Sequence, residues 1–186
     1  MAAEPIWVFG YGSLVSPESM ARTIGRVVAP HEGWLAAHLD GFGRRWNYGS
    51  MHQRGDWHGP DGFVESGVVV CLGLEPAADE RCNGVVIRVT EDELAALDWR
   101  ERDYDRTDVT DAVAPEAGVV AGRVVTYVPR PSAIERYEQA RDHGRAAIRR
   151  GYHELVDRAF HALGAHHRHE YANGTPRPDV PIVEFA

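Results

Sequence analysis

"IWVFGYGSL", Ile6 to Leu14, joins a run of strand-forming residues to a glycine–serine turn. Ile6 to Phe9 has no polar face, so it reads as a strand covered on both sides and central in its sheet. Gly10-Tyr11-Gly12-Ser13-Leu14 breaks that strand. Ser16-Pro17-Glu18 then starts a helix, with a serine cap, a proline at the first helical position and an early acid. A strand that ends in Gly-x-Gly-Ser and feeds a helix leaves backbone N–H groups unpaired, and its glycines let a ligand approach closely. Such a turn can hold an anion or a polarised carbonyl. It lacks the Gly-Lys-Ser/Thr of a P-loop and the third glycine of a dinucleotide fingerprint. From spacing alone, a plain tight turn and a binding loop both stay open.

Outward from this turn, Trp34 to Trp46 holds strand-like pieces broken at Gly41-Phe42-Gly43, and Ser50 to Gly62 has the Gly, His, Asp and Pro content of a loop. Ser66–Leu74 and Asn83–Val89 are valine-rich strands separated by a short polar turn. Thr90-Glu91-Asp92-Glu93 caps a helix that turns Leu94, Ala96 and Leu97 inward. Tyr104–Val113 and Gly122–Val128 read as two further strands, and Pro129-Arg130-Pro131 closes the β part. Ser132–His143 and Arg145–Leu163 read as helices split by Gly144. In the second, Tyr152, Leu155, Val156, Ala159, Phe160 and Leu163 line one face. From Gly164 onward the composition is that of a polar, proline-rich tail. Many strands followed by a helical end indicate an α+β fold with a curled or barrel-like sheet and no second domain.

The 186 residues fit one domain with a sizeable core, and 44% apolar content is globular in character. A formal charge of -8 leaves no nucleic-acid footprint. No apolar run has the length of a membrane span, and the N-terminus lacks the pattern of a signal peptide, so the cytoplasm is the expected compartment. Every basic residue is an arginine, which removes Schiff-base and Walker-lysine chemistry. Cys71 and Cys82 have no metal-ligand spacing and read as buried thiols. His166, His167 and His169 cluster in the tail without a carboxylate or cysteine at a familiar ligand spacing, so a solvated tail is expected there and no metal.

A second chemical candidate lies in "LDWRERDYDR", Leu97 to Arg106. Glu101 comes just after a helix has delivered its apolar residues and just before the next strand. A carboxylate at such a boundary can point into a cleft. Asp98, Arg100, Arg102, Asp103 and Asp105 favour a solvated charged turn, and spacing alone leaves that reading ahead.

Taken together, "FGYGSL" and "LDWRERDYDRTDV" behind the "GVVIRV" strand resemble the γ-glutamylcyclotransferase superfamily, its ChaC-like branch most closely. "GFGRRWNYGSMHQRG" is similar to that branch's arginine-arginine-aromatic segment. "RRGYHELVDRAF" is similar to its tyrosine-containing final helix. The resemblance implies a mixed β-barrel with flanking helices over residues 1–165, and an extended C-terminal tail over 166–186. It also implies an enzyme that closes a γ-glutamyl group on itself, releasing 5-oxoproline and the amine once attached to it. The nucleophile is then the substrate's own α-nitrogen, so the absence of an obvious Ser-His-Asp triad is no obstacle.

On this resemblance Glu101 is the general acid/base, and an apolar pocket would raise its pKa and suit it to proton shuttling. Tyr11, Gly12, Ser13 and Leu14 match the substrate-cradling loop. Tyr104 and Tyr152 match tyrosines of the site, although the ChaC spacing has a Gly-Gly insertion before the first and this chain has the shorter Glu-Arg-Asp-Tyr. Tyr152 reads equally as a core tyrosine. Arg45, and with it Arg44, could meet a substrate carboxylate or be solvated. No metal or organic cofactor is implied; the partner is a small γ-glutamyl peptide or amine, with no nucleic acid or membrane. A non-catalytic binding module on the same fold is the alternative, and the acid at position 101 speaks against it.

Overall fold

The computed structural model describes residues 4–28, 33–60 and 62–186. Its strands are β1 (Ile6–Gly10), β2 (Trp34–Gly59), β3 (Gly62–Val89), β4 (Tyr104–Asp108), β5 (Val113–Pro115), β6 (Arg123–Pro129), β7 (Ala146–Arg149) and β8 (Ile182–Val183). Its helices are α1 (Pro17–Ile24), α2 (Glu91–Arg100), α3 (Pro131–Asp142), α4 (Arg150–Leu163) and α5 (Ala165–Gly174). The α+β class expected from the sequence is the one observed.

The strands form one mixed sheet in the order β4-β6-β1-β3-β2-β5, with β7 beside β3 and β8 beside β7. β1 is central, as its apolar run requires. It lies parallel to β6 and antiparallel to β3, and Val8 and Phe9 have no exposed surface. The long β2–β3 hairpin is the frame, paired from Trp34↔Ile87 to Gly59↔Gly62. The sheet curls about it: a Cβ on Gly73 in mid-β3 would touch the Pro129 ring at the end of β6, and the Tyr104 hydroxyl of β4 donates to the Leu72 carbonyl at 3.1 Å.

Four local readings are corrected. Within the stretch Ser50 to Gly62, residues 50–59 are the distal arm of the hairpin and not a loop, and Gly55 sits where a Cβ would strike the Phe185 ring. The β2 break at Gly41 is a bulge at φ 79°, and register also slips at Arg45/Tyr48 and Gly49/Arg54, so glycine and polar content marked irregularity within a strand. Ala146–Arg149 is strand β7, pairing parallel with Val68 and Val69, where helix had been expected from residue 145. From Gly164 the chain is not extended: α5 forms, burying Tyr171 against Phe160 in a stack 4.5 Å apart, and β8 follows. The alternation of histidines and charges in α5 hid one apolar anchor among polar neighbours. Among the described residues, no helix is long and apolar enough to cross a membrane.

Candidate active site

The cavity forms where β1 ends. Gly10 is the last residue of β1, and Ser13–Val15 make one turn of 3-10 helix before Ser16 caps α1 by accepting from the Ser19 N–H. Tyr11, Gly12, Ser13 and Leu14 therefore form the lip of a small cavity, completed by Leu72, Glu101, Tyr104, Tyr127 and Tyr152. Among the described residues, the Gly12 and Ser13 N–H groups donate to no other atom. Gly12 has φ −126°, so a left-handed backbone is not the reason for glycine here. Space is the reason: a Cβ would come 3.2 Å from the Tyr152 hydroxyl and 3.6 Å from the Leu72 side chain.

Glu101 reaches the cavity because α2 stops one residue before it. Thr90 and Glu93 close a reciprocal capping box at the start of α2, and Glu101 is the C-terminal cap, its N–H donating to the Leu97 carbonyl at 2.8 Å. Leu94 and Leu97 anchor the helix in the core. Asp98 ties it to β6, accepting from the Tyr127 hydroxyl at 2.8 Å. The Glu101 side chain is 15% exposed. Burial pushes its carboxyl above the usual carboxylate range, against the pull of Arg100, whose Nε lies 2.9 Å from Glu101 Oε1.

Arg100 joins the carboxylate to the lip. Its Nη2 donates to Ser13 Oγ at 2.9 Å and Ser19 Oγ at 3.1 Å; its Nη1 donates to the Ser19 carbonyl and Thr23 Oγ1. With Nε on Glu101, each N–H of the planar fork has an acceptor. The arginine is thus a rigid bracket between the catalytic candidate, the cradle turn and α1. The sequence reading missed it because it sits in a charged run; its partners other than Glu101 are more than seventy positions away.

The tyrosines are fixed by their hydroxyls. Tyr11 donates to the Tyr127 carbonyl at 2.7 Å. Tyr104 stacks on Tyr48 at 4.3 Å, so the shorter spacing after Glu101 still brings it to the cavity. The Tyr152 hydroxyl accepts from the Leu72 N–H at 3.3 Å, and its own proton has no acceptor among the described residues. Burial holds the Tyr11, Tyr104 and Tyr152 hydroxyls well above their ordinary pKa, with the Glu101 carboxylate adding to each, so they serve as neutral donors. A wider chamber adjoins at Ser13, Glu101, Tyr104 and Tyr152, and is lined beyond them by Arg22, Tyr48, Gln53 and Cys71. The Cys71 thiol is pushed up to about 12 by burial first, which keeps it protonated.

The two neighbouring arginines of β2 do not line this cavity. Arg44 is 1% exposed and lies behind the lip: its Nε holds the Tyr11 carbonyl at 2.9 Å, and its guanidinium bonds the Asn83 carbonyl and Thr175 Oγ1 beside the Phe160 and Tyr171 rings. Arg45 points to the opposite face and pairs with Glu75 at 2.7 Å and Glu80 at 2.5 Å. Of the sequence candidates, Tyr11, Gly12, Ser13, Leu14, Glu101, Tyr104 and Tyr152 meet in one cavity; Arg45 does not. Leu72 and Tyr127 join them unannounced, since the alternation of a buried strand gives no hint of which side chain faces a cavity.

The ChaC-like protein family model matches residues 6–148. Gamma-glutamylcyclotransferase 2-3 of Arabidopsis thaliana is 31% identical over 135 residues, covering 68% of this chain; the chain spans 58% of that protein's length. A solved structure titled gamma-glutamyl cyclotransferase shares the fold with a TM-score of 0.56 at 15% identity, over 94% of this chain and 90% of that one. A human protein solved as uncharacterized shares it with a TM-score of 0.53, at the same identity and coverage.

Proposed function

The chain belongs to the ChaC-like family, and from that premise we propose that it is a γ-glutamylcyclotransferase that releases 5-oxoproline from a small γ-glutamyl substrate. The observation that carries the reading is Glu101: a carboxylate with a raised pKa, shielded from water, opening onto the same cavity as the glycine–serine lip. General acid/base work at neutral pH needs such a group.

In this reading the glutamyl unit fills the smaller cavity and its leaving group extends into the wider chamber. Glu101 takes a proton from the substrate's α-ammonium. The freed nitrogen attacks the γ-carbonyl carbon and a five-membered ring closes. The oxyanion that forms is met by N–H groups of the lip, which are fixed from behind by Arg44 and from the side by Arg100. Collapse breaks the old C–N bond as Glu101 returns its proton to the departing nitrogen, and the second proton of the ring nitrogen then leaves through the Glu101 carboxylate to the released amine. One nitrogen replaces another on the same carbon, so no outside nucleophile or oxidant enters. The wall of tyrosine hydroxyls and the Leu72 side chain keep the reacting atoms out of bulk water, where the folded glutamyl conformation would be lost.

A panel of γ-glutamyl dipeptides, glutathione and γ-glutamyl amines, assayed for 5-oxoproline, tests the proposal. Product from at least one class, lost in Glu101→Gln, is the expected result. Binding of these compounds without product would support the non-catalytic module instead.

A further inference from the structure

The histidine-bearing segment that the sequence left without a partner carboxylate acquires one carboxylate and one imidazole from elsewhere in the fold. His167 and Glu170 are three positions apart and so share one side of α5. That side meets His38 of β2 and Glu116, which directly follows β5 and continues its ladder with an N–H bond to the Ala36 carbonyl. Ligand atoms of His38, Glu116 and Glu170 all lie within 4.8 Å of one another. His38 Nε2 is 2.7 Å from Glu170 Oε1, and His38 Nδ1 is 3.6 Å from Glu116 Oε1. His167 Nε2 is 3.4 Å from Glu116 Oε2. The two imidazoles are well shielded, with 10% and 12% of their side chains exposed.

Hydrogen bonding within the group does not satisfy it. Glu170 Oε2 and His167 Nδ1 are buried with no hydrogen-bond partner among the described residues. Orphaned buried polar atoms of this kind are few in a folded protein, and each costs its lost hydration. Two carboxylates converge on His38, and their outer oxygens meet His167 at 3.4 Å and the exposed His166 at 3.8 Å. A divalent cation held among His38, Glu116 and Glu170 would give the orphaned Glu170 oxygen a partner.

We propose that His38, Glu116 and Glu170, with His167 beside them, bind a divalent transition-metal ion of the zinc class. Imidazole nitrogens with carboxylate oxygens suit Zn(II) or Co(II), whereas Mg(II) and Ca(II) favour all-oxygen shells. The site is structural and separate from the cavity at Glu101. It would pin α5 to the β2 and β5 edge. That helix in turn presents the His167 carbonyl to Asn83 and Tyr171 to Arg44, which holds the Tyr11 carbonyl.

The test is a melting experiment on chelator-stripped, dialysed protein given Zn(II), Co(II) or Mg(II). Zn(II) and Co(II) should raise the melting temperature and saturate at one ion per chain; Mg(II) should not. Glu170→Gln and His38→Ala should lose the shift, and His169→Ala should keep it. If His38→Ala fails to fold, Glu116→Gln serves instead, because that side chain is one-third exposed and tolerates the change. There the affinity for Zn(II) should fall at least tenfold. No saturable shift in the parent protein, or an undiminished one in both glutamine variants, would overturn the proposal and leave a hydrogen-bonded latch.

Discussion

Two charged stretches of this chain, residues 97–106 and 164–171, look alike in sequence and do different work in the fold. Both read as solvated from spacing. Each instead places a carboxylate among partners distant in the chain: Arg100 reaches Ser13 across 87 positions, and Glu170 reaches His38 across 132. They differ in what shields the acid. Glu101 is at 15% exposure and faces a cavity through a rigid arginine bracket; Glu170 is at 30% and faces the His38 imidazole of β2. A charge run therefore does not announce its role. The element boundary does, because a helix that ends on its cap frees one side chain to point away from the helix axis.

The largest effect that could break this contrast is loss of the carboxylate. Glu101→Gln should lower 5-oxoproline release ~10² to 10⁴-fold, the usual worth of a general acid/base. It should not lower stability. The folded pKa of Glu101 is raised, so the native state binds a proton more tightly than the unfolded chain does. Stability from this group is then present at low pH and lost as pH rises from the ordinary carboxylate range through the raised value. A neutral glutamine escapes that loss, and the variant should melt at or above the parent temperature at pH 7. Glu170→Gln should do the opposite, melting lower with turnover retained. Two variants with the same profile would erase the distinction between the stretches.

Next comes the bracket. Arg100→Gln removes the Nε contact to Glu101 and the fork that fixes Ser13. Misplacement of a catalytic group by an ångström can cost on the order of 10²-fold in rate, and a fall of that order in kcat is expected with a smaller change in KM. The readout that a merely structural arginine would not move is the pH profile. Arg100 opposes the rise in the Glu101 pKa, so its loss should carry the acid limb of kcat/KM to higher pH. Arg100→Lys keeps a charge but not the fork, and should restore the position of the limb more than the rate. An unmoved limb in Arg100→Gln would show that the ion pair does not reach the reacting carboxyl.

Much of this was legible early, and the reasons are local. β1 has no polar face and Thr90 to Glu93 has the capping box, so strand and helix come from nearest-neighbour chemistry, whereas Glu101 is singled out only by the family resemblance, its spacing favouring a solvated turn. The tail failed because α5 carries a single buried anchor, Tyr171, and its other partners arrive from β2 and β5. The distal hairpin arm failed because Gly55 answers crowding, not flexibility: a Cβ there would collide with the Phe185 ring. Arg44 and Arg45 are neighbours with opposite fates, since adjacent residues of a strand face opposite sides. No residue type could say which of them turned inward.

A smaller effect probes the lip itself. Gly12→Ala keeps an ordinary φ but sets a methyl 3.2 Å from the Tyr152 hydroxyl, a distance that requires the tyrosine to give way. If that hydroxyl and the neighbouring N–H groups touch substrate, KM should rise on the order of tenfold, about 1.4 kcal/mol of binding. Stability should change by about 1 kcal/mol or less. Thermal melting and 5-oxoproline release on one preparation separate the two. A folded variant with unchanged KM would reduce the lip to a turn.

The smallest expected effect supplies the reference for all the others. Arg45 pairs with Glu75 and Glu80, carboxylates that are 46% and 43% exposed, so water screens what the pairs gain and long side chains must be ordered to make them. Arg45→Ala should cost about 1 kcal/mol or less and leave turnover and KM alone. The bond count resembles that of Arg100, which is the point of the measurement. Both arginines bind carboxylates at close range, yet one set of acceptors is solvated and the other encloses a cavity. If Arg45→Ala lowers 5-oxoproline release as much as Arg100→Gln does, then charge near the sheet, and not the bracket's geometry, sets the activity of Glu101. If salt weakens the contribution of Arg45 to stability while the Arg100 variant's pH profile stays unmoved by salt, burial is what separates a pair that catalysis uses from one it does not.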